Sequence, residues 1–120
     1  MTAEGIKTYC LQKPGAYEVT PFGPIPICYK VGNRIFLELY PRDEDYKITI
    51  RSEMMLTDYY RSQYPGVVIP GYHCPERQRR YKNTIYMNRG LADDVVFDMI
   101  DHSYRDAVSK CTKKERMLLL

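Results

Sequence analysis

Gly32-Asn33 is the stretch that most restricts what this chain can fold into. Ile27-Cys28-Tyr29-Lys30-Val31 precedes it and Arg34-Ile35-Phe36-Leu37-Glu38-Leu39 follows it, and both arms are rich in β-branched and aromatic residues. A glycine at the first central position of a two-residue connection favours a type II′ turn, whose twist matches the flanking strands. Beyond the polar turn Asp43-Glu44-Asp45, the run Tyr46-Lys47-Ile48-Thr49-Ile50-Arg51 alternates strictly. Tyr46, Ile48 and Ile50 take one side, and Lys47, Thr49 and Arg51 the other. Three consecutive strands then form an antiparallel meander with one face covered and one face wet.

Helical spacing flanks this meander. In residues 3–13, Ile6, Tyr9 and Cys10 share a face, Thr2 stands at the N-cap position and Pro14-Gly15 ends the run. From Ala16 to Pro26 the prolines and Gly23 predict a loop. Ser52 reads as the N-cap of a helix to about Gln63, with Met55, Leu56, Tyr59 and Tyr60 as its apolar stripe. Val67-Val68-Ile69 is too short for a helix and is closed by Pro70-Gly71, and Asn83 to Asn88 reads as the last strand. The longest helix is expected from about Asp93 to Lys110, where Phe97, Ile100, Tyr104, Val108 and Cys111 recur at helical spacing. Met117-Leu118-Leu119-Leu120 makes an apolar tail. This order predicts one α+β domain over residues 1–120, with an antiparallel sheet of about four to five strands and helices packed on one face.

Several function classes find no support. The four cysteines are widely spaced, without a C-x-x-C or a paired histidine, so reduced thiols in a cytoplasmic protein are expected and a structural metal is not. No apolar run is long enough to span a bilayer, and no basic-then-apolar leader opens the chain. His73 and His102 lie outside any triad pattern, and Cys74 beside His73 points away from it in an ordinary backbone. Asp94, Asp98 and Asp101 share a helical face, with Asp93 just before them, which is the pattern of a solvated acidic face. No catalytic residue, cofactor or metal ligand is therefore assigned. Nothing in the pattern sets an oligomeric state.

The basic segment is more informative. Arg77, Arg79, Arg80 and Lys82 fall within six positions against one acid, Glu76, with Tyr72, Tyr81 and Tyr86 interleaved or adjacent. Arginine forks match phosphate oxygens, and tyrosine rings stack on bases. Lys30 and Arg34 bracket the hairpin turn and supply a second basic tip. The expected partner is DNA, held by its phosphates, with Tyr81 and Asn83 as the side chains that reach a base. Two other classes stay open. One is a protein-interaction module working through the acidic helix face and the Met117–Leu120 tail. The other is a small anionic ligand near His73 and Arg80.

The chain resembles the MmcQ/YjbR family of small bacterial proteins along nearly its whole length. The resemblance rests on Leu11 to Ala16 with Glu18, Pro21-Phe22-Gly23, and Lys30-Val31-Gly32-Asn33-Arg34-Ile35-Phe36. It continues through Pro70-Gly71-Tyr72-His73, Asn83-Thr84-Ile85 and Ile100-Asp101-His102-Ser103-Tyr104. It implies an α/β fold similar to CyaY, without frataxin's iron chemistry, and a DNA-binding protein with a double-wing arrangement. Pro70 to His73, Asn83, Thr84 and Asp101 to Tyr104 are implied as framework. Lys82 stands where members usually carry a tryptophan, and the link from Cys74 is longer here and holds the arginines. Losing that ring argues against a shared small-ligand pocket around it and favours a polyanion surface.

Overall fold

The computed structural model describes residues 1–119. In chain order the elements are α1 (Ala3–Leu11), β1 (Tyr17–Val19), β2 (Ile27–Val31), β3 (Arg34–Tyr40), β4 (Lys47–Arg51) and α2 (Met54–Gln63). They continue with β5 (Val68–Pro70), β6 (Lys82–Tyr86), α3 (Asp93–Ser109) and α4 (Lys113–Met117). The six strands make one antiparallel sheet in the order β1-β2-β3-β4-β6-β5. The α+β class is as expected, but the sheet has six strands rather than four to five. The extra count comes from very short edge strands. Tyr17–Val19, inside the expected loop, pairs with β2, and Val68–Pro70 pairs with β6. Runs of three residues carry too little alternation to stand out in a sequence.

The central hairpin turns as the glycine predicts. Gly32 has φ +56°, and Asn33 is outside the positive-φ region, as a type II′ turn requires. Strand register sets the two faces. Ile27, Leu39, Ile48, Ile85 and Val68 lie across from one another in one row. With Tyr29, Leu37 and Ile50 they form a core closed by Ile6 and Cys10 of α1 and by Val96, Met99, Ile100 and Ala107 of α3. Each large aliphatic side chain buried there contributes about 1.5–3 kcal/mol.

Two helices pack on a face turned slightly from the expected one. On α3 the buried positions are Val96, Met99, Ile100, Ser103 and Ala107. Phe97 and Tyr104 instead flank the contact, Phe97 against Tyr9 (centroids 4.2 Å apart) and Tyr104 edge-on to Phe36 (5.3 Å). The small Ser103 and Ala107 let the helix approach the sheet closely, and the rings fill the rim. On α2, Glu53 rather than Ser52 is the N-cap, accepting from the Leu56 amide. Ser52 is drawn into the sheet end, where its amide donates to Tyr81 O and its hydroxyl bonds to Thr57. The buried residues of α2 are therefore Thr57 and Tyr60, while Met55 and Tyr59 of the expected stripe are exposed.

The second face of the sheet is not wet along β4. Lys47 and Thr49 are each 2% exposed. Thr49 and Thr84 share a hydrogen bond across the strands (2.8 Å). The Lys47 ammonium lies under Tyr40 and Tyr72, 4.5 and 4.2 Å from their centroids, and pairs with Asp45 at 2.6 Å. Strict alternation gave the right faces, but not what covers them. Alternation reports side-chain direction, whereas Tyr72 arrives from another part of the chain.

The apolar tail is also partly structured. Thr112 and Glu115 form a capping box that starts α4, and Leu119 packs on the core cluster. A side chain at Gly15 would collide with Leu119, and one at Gly32 would come within 2.8 Å of Cys111 Sγ. Met117 and Leu118 remain exposed, and Leu120 lies outside the described residues.

Candidate nucleic-acid interface

Two projecting segments meet at one end of the sheet. The first is the β2–β3 hairpin tip, with Lys30, Asn33 and Arg34. The second is the connection from β5 to β6, residues 71–81, held against the sheet by a few specific bonds. Gly71 N donates to Lys82 O (3.1 Å), Tyr72 N to Thr84 Oγ1 (2.8 Å) and Ser52 N to Tyr81 O (3.0 Å), while Tyr81 N to Gln78 O (2.9 Å) closes a turn inside the segment. Arg61 of α2 stitches the return of this segment. Its Nε donates to Asn83 Oδ1 (2.6 Å), and a terminal nitrogen donates to Lys82 O (3.0 Å) and to Arg79 O.

Between the two segments lies a cleft of about 210 Å³, lined by Lys30, Arg34, Glu38, Arg51, Gln78 and Lys82 among others. Four cations face one carboxylate. Glu38 has a side chain only 17% exposed, yet among the described residues it accepts no hydrogen bond, and Lys82 Nζ stands 3.9 Å away. Burial raises its pKa, and the charges of Lys82 and Arg51 pull the other way. Arg51 Nε is buried without a hydrogen-bond partner among the described residues, with Asp106 3.9 Å away. Arg34 is exposed and is one of the groups that, after the bonds from Thr112, lower the pKa of Glu115.

The arginines of the expected cluster lie on the 71–81 segment but outside the cleft lining. Arg77, Arg79 and Arg80 are all exposed. Arg79 is 3.8 Å from Glu76, whereas Arg77 and Arg80 form no ion pair among the described residues. Tyr81 is 38% exposed, with Lys110 Nζ 5.9 Å from its ring centroid. Asn83 differs from expectation. It is 1% exposed, and its amide is taken up by Arg61 and by Thr57 O, so it braces the segment and does not face a base.

Next to the cleft, and sharing Glu38 with it, is a second cavity of about 270 Å³ walled by Phe22, Pro26, Tyr40, Tyr72 and His73. His73 sits at φ +51°, an uncommon conformation for a residue with a side chain, and its ring meets that of Tyr72 edge-on at 4.1 Å. Arg80 is not among the residues lining this cavity. A small anion there would face the Glu38 carboxylate without an arginine to offset it.

The remaining motif residues fasten elements together. Asp101 accepts from Tyr9 Oη (2.6 Å) and from Lys13, joining α3 to α1. Burial alone would raise its pKa, but the Lys13 and Tyr9 bonds hold it below the usual carboxylate range. Ser103 is fully buried; it accepts from Arg51 N (2.8 Å) and donates to Phe36 O (2.5 Å) where β3 and β4 part. Tyr104 donates to Pro14 O (2.5 Å), and His102 is half-exposed beside Arg105. Pro70 pairs in register with Asn83. Asp93, Asp94 and Asp98 are exposed, and no group of three possible metal ligands comes together among the described residues. All four cysteines are free; burial pushes Cys10 up to about 12 and Cys28 to about 11, which leaves them as unreactive thiols. No helix among the described residues is long and apolar enough to cross a membrane.

Sequence reasoning missed Glu38, Arg51, Arg61 and Gln78. Glu38 had a weak signal as the one acid in an apolar strand, and Arg51 as a cation on the alternate face. Arg61 had none.

Comparison with known proteins agrees with this architecture. The YjbR family model matches residues 11–106. The Escherichia coli K12 protein described as uncharacterized protein YjbR is 24% identical over 120 residues, covering 100% of this chain and 98% of its own length. A crystal structure of a Deinococcus radiodurans DUF419 protein superposes with TM-score 0.87 at 20% identity, covering 98% of this chain and 87% of that one. A Pseudomonas syringae protein gives TM-score 0.72 at 16% identity, over 89% of this chain and 99% of its own. With that match across most of its length, the chain belongs to the YjbR family.

Proposed function

We propose that this protein is a non-enzymatic, cytoplasmic DNA-binding protein of CyaY-like form, whose two wings are the β2–β3 hairpin tip and the 71–82 segment. One observation carries the reading: segments far apart in sequence enclose a single cleft whose lining, among the described residues, holds Lys30, Arg34, Arg51 and Lys82 against one acid, Glu38, with Asp106 near Arg51 and Glu115 near Arg34 outside it. Such a cleft concentrates positive potential between low-dielectric walls and suits a run of phosphates. Arg77 and Arg80, exposed and in no ion pair among the described residues, extend the positive field along the outer wing. Framework residues Ser103, Thr84 and Asn83 keep the wings at a fixed separation.

Gel-shift titration at about 50 mM salt, where backbone contacts are strongest, tests the reading. Wild type shifts DNA, and the Lys30/Arg34/Lys82→Ala variant binds at least tenfold more weakly. No shift for wild type, or an unchanged shift for a folded variant, refutes it. The exposed Met117 and Leu118 favour a protein partner as the second reading. Partners that vanish when residues 117–120 are removed, together with no DNA shift, select it instead.

A further inference from the structure

We infer that the cavity beside the cleft receives one unstacked nucleobase bearing an exocyclic amine, so that the preferred ligand is single-stranded nucleic acid. This inference rests on the phosphate-binding reading of the cleft. The cavity and the cleft share Glu38 as a lining residue, so a chain whose phosphates track Lys82 and Lys30 passes beside it. Its volume, about 270 Å³, is at the small end for ligand sites and suits one ring system. Its walls are aromatic and partly open, with Phe22 65% and Tyr72 41% exposed. Exposed rings beside a basic groove are the elements of single-strand recognition.

The aromatic walls offer little cation–π attraction to a second cation, because Lys47, itself paired with Asp45, already takes that place on two of the rings, Tyr40 and Tyr72. A neutral aromatic group does not depend on that attraction. Glu38 supplies the polar contact. Its side chain is 17% exposed, takes no hydrogen bond from the protein among the described residues, stands 3.9 Å from Lys82 Nζ, and lines both cavities. Carboxylates accept from the amine of cytosine, and adenine and guanine also carry such donors, whereas thymine has no exocyclic amine. A duplex hides these bases in its stack, and removing one from it costs a few kcal/mol.

Fluorescence anisotropy at constant low salt tests this with labelled oligo-dC, oligo-rC, oligo-dT and a duplex of equal length. Wild type binds oligo-dC or oligo-rC more tightly than the duplex, and the deoxy and ribo arms show which sugar is preferred. Phe22→Ala, a change at an exposed ring, weakens oligo-C binding about tenfold, as expected for one stacked base. Glu38→Gln abolishes the preference for oligo-C over oligo-T. The inference is overturned if Phe22→Ala binds oligo-C like wild type, or if the duplex binds as tightly as the single strands. In either case binding that still depends on Lys30, Arg34 and Lys82 leaves the phosphate reading standing. If no oligonucleotide binds, both fall.

Discussion

Arg61→Ala should release the outer wing from the sheet. The guanidinium makes three bonds to one strand return: Asn83 Oδ1 at 2.6 Å, Lys82 O at 3.0 Å, and Arg79 O. Hydrogen bonds from a charged donor contribute about 1.5–3 kcal/mol each, but these share one side chain and one is exposed, so simple addition overstates them. Truncation also leaves the Asn83 carbonyl without its donor inside the core, since its amide remains on Thr57 O. The expected loss is about 3 kcal/mol. With a urea dependence near 2 kcal/mol per molar, the unfolding midpoint falls by about 1.5 M. Lysine carries its donors on one nitrogen and cannot reproduce the fork that reaches Asn83 Oδ1 from Nε and the two carbonyls from a terminal nitrogen, so it should recover only part of the loss. Amide exchange should accelerate most in residues 76–82 and little in β2 and β3, because the bonds lost fasten only that segment. DNA affinity should fall too, although Arg61 is not among the residues lining the cleft. A midpoint shift under about 0.5 M, or exchange rising uniformly across the sheet, would refute the positioning role.

Other expectations concern the framework and the strained histidine. Ser103→Ala strands the Phe36 carbonyl and the Arg51 amide, costing about 2–3 kcal/mol and lowering Tm by about 10 °C in a calorimetric scan. Asp101 has a folded pKa below its unfolded value, so its stabilisation is present above the ordinary carboxylate range and is lost as pH falls through the folded value. Lys13 has a raised pKa despite its burial, so its share is present below the ordinary lysine range and is lost as pH rises through the raised value. Stability measured against pH should therefore decline on the acid side, by about 1 kcal/mol for this partly exposed pair, and Asp101→Asn should remove that decline. His73→Gly relieves the φ +51° conformation and should stabilise by about 0.5–1 kcal/mol, whereas His73→Val should destabilise by about 1–2 kcal/mol in the same melts.

The parts of the fold that were legible in sequence are those fixed by local rules. Gly32-Asn33 fixed the hairpin, alternation in Tyr46–Arg51 gave the direction of each side chain, and Pro14-Gly15 ended α1 near Leu11. Long-range cover was not legible. Lys47 reads as wet because nothing near it in sequence announces that Tyr72 lies over it. The stripe of α3 differs because Ser103 and Ala107, weakly apolar by residue type, are among its buried positions. The candidate site divided along the same line. Clustered charge pointed to the 77–82 segment and the hairpin tip, and both line or border the cleft. A polar side chain such as Asn83 in a basic run reads as available, whereas its bonds to Arg61 and Thr57 arise only in the fold. Glu38 emerged only when register placed it opposite Thr49, between the two cavities.

The dependence of oligonucleotide affinity on salt tests the central claim most directly. With four phosphates neutralised at the cleft and outer wing, the log–log slope should be about −3.6 on duplex and about −2.8 on single strands. Replacing Lys30, Arg34 and Lys82 together by alanine should reduce its magnitude to about 0.9 on duplex, leaving one contact from the outer wing. A wild-type slope near zero, or a slope unchanged in that folded variant, would show that phosphates are not held between the two wings.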